Sequence, residues 1–278
     1  SALLSIGSDT RPPIPRKPVL GRESISLSGA NRDAFFGTRY GKAVTSGRAA
    51  IFWALKLLGV CADDFVLVPT YHCPTLVAPV VALGALPSFY PLTRAGLPDV
   101  ARIDIHAPGC VRAMIAPQLF GFPGDLSDVR HWCDKHGVSL IEDCAHSPFG
   151  RAGDRAVGHW GDFATASLSK LLPVVELGWL ASATRELPVL DLQPCPIREQ
   201  LKAIVTPLEV ASLCGRLGLT GSLLRAVFRR RQPLPGETEA LDALGPPTPA
   251  DIRRALVSCD LDRIGVAPAA ASRLIASL

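Results

Sequence analysis

Between residues 44 and 182, short apolar runs of strand length alternate with longer stretches of helical texture, and that alternation restricts the chain to few folds. Residues 65–68, 87–92, 111–116, 138–142, 163–168 and 178–182 are too short for stable helices, and several are almost continuously apolar, as strands buried on both faces must be. Between them, residues 49–58 read as an apolar helix stopped by Gly59, residues 74–83 as a buried helix and residues 126–136 as an amphipathic one. A parallel strand partner is reached only through a crossover, so the pattern predicts an α/β chain: a mostly parallel sheet flanked by helices.

The flanks read differently. Residues 1–42 are rich in Pro, Gly, Ser and Arg, with Arg11-Pro12-Pro13-Ile14-Pro15 the stiffest part, and predict an irregular arm. Residues 43–190 then form one large α/β domain, and residues 191–278 a helical C-terminal segment, with apolar positions from 197 to 228 broken near Gly215 and Gly218. A proline-rich stretch at 232–249 and one or two further helices from Asp251 complete this reading, with no strand signal after about Ser182.

Composition excludes several functions. With 48% hydrophobic and 19% charged residues the chain is globular, and its net charge of +4 comes from scattered arginines, so it has no nucleic-acid footprint. The exception, Arg229-Arg230-Arg231, reads as the cationic end of an amphipathic helix. No apolar run approaches the roughly 18 residues of a membrane span, and the start lacks a signal-peptide layout. The eight cysteines form no C-x-x-C pair, and His106, His131, His136 and His159 have no ligand spacing. Free thiols in the cytoplasm, without a metal, are the expectation.

In parallel sheets, ligands sit beyond the carboxyl ends of the strands. Asp143 ends one strand, in Ile141-Glu142-Asp143-Cys144-Ala145-His146, and Lys170 follows another, in Ser167-Leu168-Ser169-Lys170. An amine that can hold an aldehyde as a Schiff base, and a carboxylate that can keep a pyridine nitrogen protonated, are what pyridoxal 5'-phosphate requires. Ser46-Gly47-Arg48 turns into a helix, where backbone amides and the helix dipole favour a phosphate. Each residue alone has a plainer reading: a solvated lysine, an aspartate capping a loop, a surface arginine, a core histidine at 146, and Tyr71 and His72 packed beneath a loop. Their joint occurrence favours the cofactor.

These segments resemble the DegT/DnrJ/EryC1/StrS aminotransferases, fold-type-I enzymes that often act on nucleotide-linked sugars. The likeness is carried by Thr45-Ser46-Gly47-Arg48-Ala49-Ala50, Val68-Pro69-Thr70-Tyr71-His72-Cys73, Phe120-Gly121-Phe122-Pro123-Gly124-Asp125-Leu126, the Asp143 segment, and Gly161-Asp162-Phe163 leading to Ser167-Leu168-Ser169-Lys170-Leu171-Leu172-Pro173. It implies that Lys170 is the catalytic amine, that Asp143 pairs with the ring nitrogen, and that His146 contacts the ring hydroxyl. Ser46, Gly47 and Arg48 would hold the phosphate, with Ser167 an additional hydroxyl. Cys73 stands where the family has a ring-stacking aromatic, which leaves Tyr71 or His72 for that task, and Gln118 stands where relatives place a substrate-side histidine. Glu176-Leu177-Gly178-Trp179 lacks the family's doubled glycine.

The resemblance implies a homodimeric aminotransferase that moves an amino group from an amino acid donor to a keto acceptor such as a nucleotide-linked sugar. Two alternatives stay open: a lyase or dehydratase on the same scaffold, or a catalytically silent scaffold or partner subunit. Relatives continue into a C-terminal small domain, of which residues 191–278 are expected to be a partial or truncated version.

Overall fold

The computed structural model describes residues 18–21, 40–105, 110–217 and 263–268. In chain order the strands are β1 (Tyr40–Val44), β2 (Phe65–Pro69), β3 (Leu86–Tyr90), β4 (Val111–Pro117), β5 (Ser139–Asp143), β6 (Arg151–Ala152), β7 (Arg155–Ala156), β8 (Phe163–Ser167) and β9 (Gly178–Ser182). The helices are α1 (Gly47–Leu57), α2 (Ala78–Ala82), α3 (Ser127–His136) and α4 (Ile197–Leu213). Seven strands form one sheet in the order β1-β9-β8-β5-β4-β2-β3, and β6 and β7 pair as a separate small hairpin. Strands β3, β2, β4, β5 and β8 run parallel, whereas β9 is antiparallel to both β8 and β1.

The expected mostly parallel sheet is therefore present, with its central strands buried on both faces. Along β4, Met114 and Ala116 point into the core shared with Val129 and Cys133 of α3, while Ala113 and Ile115 point into the core shared with α1 and α2. That alternation follows from the two-residue period of a strand, and burial of both sets explains why β4 shows no polar face. Helix α1 buries Ala49, Ala50, Ile51, Trp53, Ala54 and Leu55. Its start is fixed by Ser46, whose Oγ accepts from the Ala49 N–H at 3.2 Å.

Three local differences from the sequence reading have physical causes. The helix expected over residues 74–83 is split into a 3-10 turn at Pro74–Leu76 and α2, each with a proline in its first turn, where a missing N–H costs nothing. Strand β1 extends into the segment read as an irregular arm. Its sequence, Tyr40-Gly41-Lys42-Ala43-Val44, carries little strand signal and is defined by its pairing with β9, where Gly41 lets the Trp179 ring lie against the backbone. The β6–β7 hairpin, only two residues per strand, was likewise not read.

Helix α4 lies in the segment that follows the sheet, and Gly215, with φ +70, stands just past its end. Residues 263–268 return beside α1: the Trp53 Nε1–H donates to the Ile264 carbonyl at 3.2 Å, and Gln193 and Val266 form an isolated parallel bridge. Expectations for residues 1–17, 22–39, 218–262 and 269–278, including the Arg229-Arg230-Arg231 helix, fall outside the described residues. Among the described residues, no helix is long and apolar enough to cross a membrane.

Strand β9 begins flush against the N-terminus of α1, because a Cβ on Gly178 would run into the Ser46 carbonyl. Gly178→Ala is expected to lower the unfolding free energy by about 1–3 kcal/mol, as overpacking does, read as an earlier urea midpoint at unchanged slope.

Candidate functional site

Parallel strands bring their carboxyl ends to one edge of the sheet. The segments leaving β2, β4, β5 and β8, with the N-terminus of α1, enclose a cavity of about 350 Å³. Every candidate from the sequence lines it: Ser46, Gly47 and Arg48 from α1 and its cap, Tyr71 and His72 after β2, Gln118 after β4, Asp143 and His146 at and after β5, and Ser167 and Lys170 at and after β8.

The acidic and basic groups form one electrostatic unit. Asp143 closes β5 between Pro117 and Thr165 of the neighbouring strands. Burial pushes its carboxyl above the ordinary aspartate value, while the Ala145 N–H, the Lys170 charge and the Thr165 hydroxyl pull the other way. The Ala145 N–H donates to Oδ1 at 3.1 Å. His146 is held below the usual histidine range, first by burial and then by the Lys170 charge, so it is neutral at pH 7. Lys170 sits on the single 3-10 turn Leu168–Lys170, which is anchored by the buried Leu168 and by the Ser169 N–H donating to Leu177 at 3.3 Å. Its own side chain is exposed.

At the α1 end the geometry suits an anion. The first amides of a helix have no acceptor within the helix, and the first turn of α1 contains no acidic residue. Gly47 packs so closely on Ser167 that an added Cβ would stand 3.0 Å from the Ser167 Cβ. Backbone and hydroxyl are thereby brought side by side at the strand ends.

On another wall, His72 Nδ1 lies 2.7 Å from the Pro69 carbonyl, and its ring stacks on Phe89 at 5.4 Å. Cys73 is exposed, with its Sγ 3.0 Å from Thr75 Oγ1. Gln118, expected as a substrate contact, is held by hydrogen bonds within the chain. Its Nε2 donates to Glu142 Oε1 at 3.0 Å and to the Gly124 carbonyl at 3.3 Å, and its Oε1 accepts from the Gly124 N–H at 2.8 Å. The amide of this cavity-lining residue is thus engaged at both ends, bracing the loop that carries it.

The sequence reading missed two charged wall residues. Arg263 Nη2 lies 2.5 Å from Glu176 Oε2, and the Arg263 carbonyl accepts from Thr45 Oγ1 at 2.9 Å, across 218 positions of sequence. No motif could have announced Arg263, because its place depends on the chain returning to α1. Among the described residues no group of acidic, histidine or cysteine side chains could hold a metal ion.

Residues 30–182 match the DegT/DnrJ/EryC1/StrS aminotransferase family. GDP-perosamine synthase of Vibrio cholerae is 31% identical over 134 residues, 48% of this chain and 36% of that protein. L-glutamine:2-deoxy-scyllo-inosose aminotransferase of Streptoalloteichus tenebrarius is 30% identical over 175 residues, 61% of this chain and 41% of that protein. The structure of 3-amino-5-hydroxybenzoic acid synthase is similar in fold, with TM-score 0.51 at 22% identity, over 55% of this chain and 40% of that one. The chain therefore covers less than half the length of each of these relatives.

The raised Asp143 value has a measurable sign. The folded chain holds this proton more tightly than the unfolded chain, whose aspartates titrate near about 3.9. The resulting stability is complete below that pH and is lost as pH rises through the raised value. Asp143→Asn carries no charge to desolvate, so without added ligand its stability relative to wild type should climb across that window and then level off. Urea titrations at steps from roughly pH 4 to 7 check this, and a constant difference would contradict it.

Proposed function

The chain belongs to the DegT/DnrJ/EryC1/StrS aminotransferase family, and we propose that it binds pyridoxal 5'-phosphate and transfers an amino group from an amino acid donor to the keto group of a nucleotide-linked sugar. The observation that carries this reading is the convergence of Lys170, Asp143, His146 and the α1 N-terminus on one cavity, with the Lys170 charge acting on both Asp143 and His146. The name GDP-perosamine synthase supports a nucleotide-linked sugar, and L-glutamine in the name of the second relative supports an amino acid donor.

The residues present fit the cofactor. A carboxylate disfavoured by burial gains from a cationic ring N–H, so Asp143 would hold the pyridine nitrogen. Ser46, Gly47, Arg48 and Ser167 would hold the phosphate, where the helix dipole and first-turn amides favour an anion. Lys170 Nζ would take the aldehyde carbon, and the neutral His146 ring would contact the ring hydroxyl. Tyr71 and His72 would flank the ring from the loop after β2.

When bound, the cofactor supplies an electron sink for the pair left by a broken C–H bond. Asp143 keeps that sink effective by favouring the protonated ring nitrogen. Lys170 Nζ serves as the base and acid that moves the proton at the substrate carbon, a role worth about 10²–10⁴-fold in rate. His146, already neutral, adds no second cation against Lys170. The exposure of Lys170 in a single chain supports a homodimer in which the second subunit excludes water from the site.

Purified protein given pyridoxal phosphate is expected to develop an absorbance band at the edge of the visible, and Lys170→Ala to abolish it. Wild-type protein that stays colourless would overturn the reading. With a keto sugar nucleotide and glutamine or glutamate, amine on the sugar marks transfer, whereas loss of a hydroxyl without amination marks the dehydratase alternative.

A further inference from the structure

We propose that Phe120 is a binding shelf for the nucleobase of the acceptor, set on the rim of the cavity that holds the reacting groups. The inference rests on the reading of the acceptor as nucleotide-linked, and it starts from an anomaly of the backbone. Phe120 has φ +55, a left-handed conformation that a side-chain-bearing residue adopts only against a steric penalty and that glycine would adopt freely. It is also 61% exposed. An apolar ring held at a cost in conformation and left mostly in water gains from the fold of the single chain only its contacts with two neighbouring rings.

The surroundings enforce this arrangement. Ahead of Phe120, the Gln118 N–H donates to the Asp143 carbonyl at 2.9 Å, and Ser147 Oγ donates to the Gln118 carbonyl at 3.2 Å. Behind it, the Gly121 N–H donates to the same Ser147 Oγ at 2.9 Å. The Gln118 side chain ties Gly124 to the buried Glu142, which also accepts from the Trp160 N–H at 3.0 Å. The loop is thus braced from both ends by buried polar groups, which is how a strained residue persists.

The ring is also aimed. Its centroid lies 5.9 Å from that of Tyr71, tilted by 55°, and 5.8 Å from that of His146, stacked at 29°. Tyr71, His146 and the preceding Leu119 line the cavity, so Phe120 borders it directly on this side. A cavity of about 350 Å³ is at the small end of ligand pockets. Once the cofactor and the reacting carbon share it, the distal part of a sugar nucleotide must cross this rim. Phenylalanine offers a π-face and no polar edge, so it stacks a base without reading which base it is.

The test measures binding of GDP and UDP to the full 278-residue chain by calorimetry and saturation-transfer NMR, with thermal unfolding and sedimentation in parallel. Wild type and Phe120→Tyr should bind both nucleotides with the strongest saturation on base protons. Phe120→Leu and Phe120→Gly should lose about 5- to 100-fold in affinity, while Phe120→Gly, relieved of the positive φ, unfolds at the same or a higher temperature. The proposal is overturned if wild type binds neither nucleotide, if all variants bind alike, if Phe120→Gly loses stability along with binding, or if the variants change only the association state, which would make the ring a contact between subunits. The cofactor absorbance band is recorded separately, so its failure in wild type would count against the aminotransferase reading and leave the nucleotide result to stand or fall alone.

Discussion

Glu142, in the centre of the sheet and without exposure to solvent, is the group that the surroundings of the site depend on. A buried carboxylate is tolerable only if its lone pairs are met. Burial raises its pKa, and hydrogen bonds from Gln118 and from the N–H groups of Gly158, Trp160 and Gly161 pull the other way. These donors come from the loop after β4 and from the turn that leads into β8. One side chain of β5 thereby fixes the segments on both sides of it, and the next residue along, Asp143, inherits a fixed position at the cavity. Removing Glu142 would leave several donors unmet at once, a larger cost than losing any one of these bonds.

Around that fixed point the site separates charges by element. Carboxylate and imidazole come from the end of β5, the ammonium from the turn after β8, and the anion-seeking end from α1. None of these elements can slide independently, because Gly178 lies against Ser46 and Gly47 lies against Ser167. The two small residues let the α1 N-terminus touch β8 and β9, so the spacing between that helix end and Lys170 is set by close packing along the chain rather than by flexible side chains.

The central strands and the candidate residues were legible from sequence because their causes are local. Continuous apolar runs reported β4 and β5, and polar residues immediately after strand ends reported the site. What escaped depends on partners distant in the chain. Strand β1 is a strand because β9 lies beside it, and Arg263 is a wall residue because residues 263–268 return to α1. Gln118 lies at the cavity, as its position implied, and its partners add what position alone does not tell: both ends of its amide are engaged by Glu142 and Gly124. The prolines at 74 and 79 were visible too, yet reading them as one helix overlooked that each begins its own element.

The bond between Thr45 and Arg263 sets a timetable for biogenesis. Thr45 leaves the ribosome well before its partner, because the carbonyl it binds is made 218 residues later. The sheet can assemble once β9 has emerged, but this side of the cavity stays open until the late segment arrives and joins Glu176. The finished pocket therefore requires residues 263–268 to have been made, and a nascent chain stalled before Arg263 would present Lys170 and Asp143 with one wall still missing.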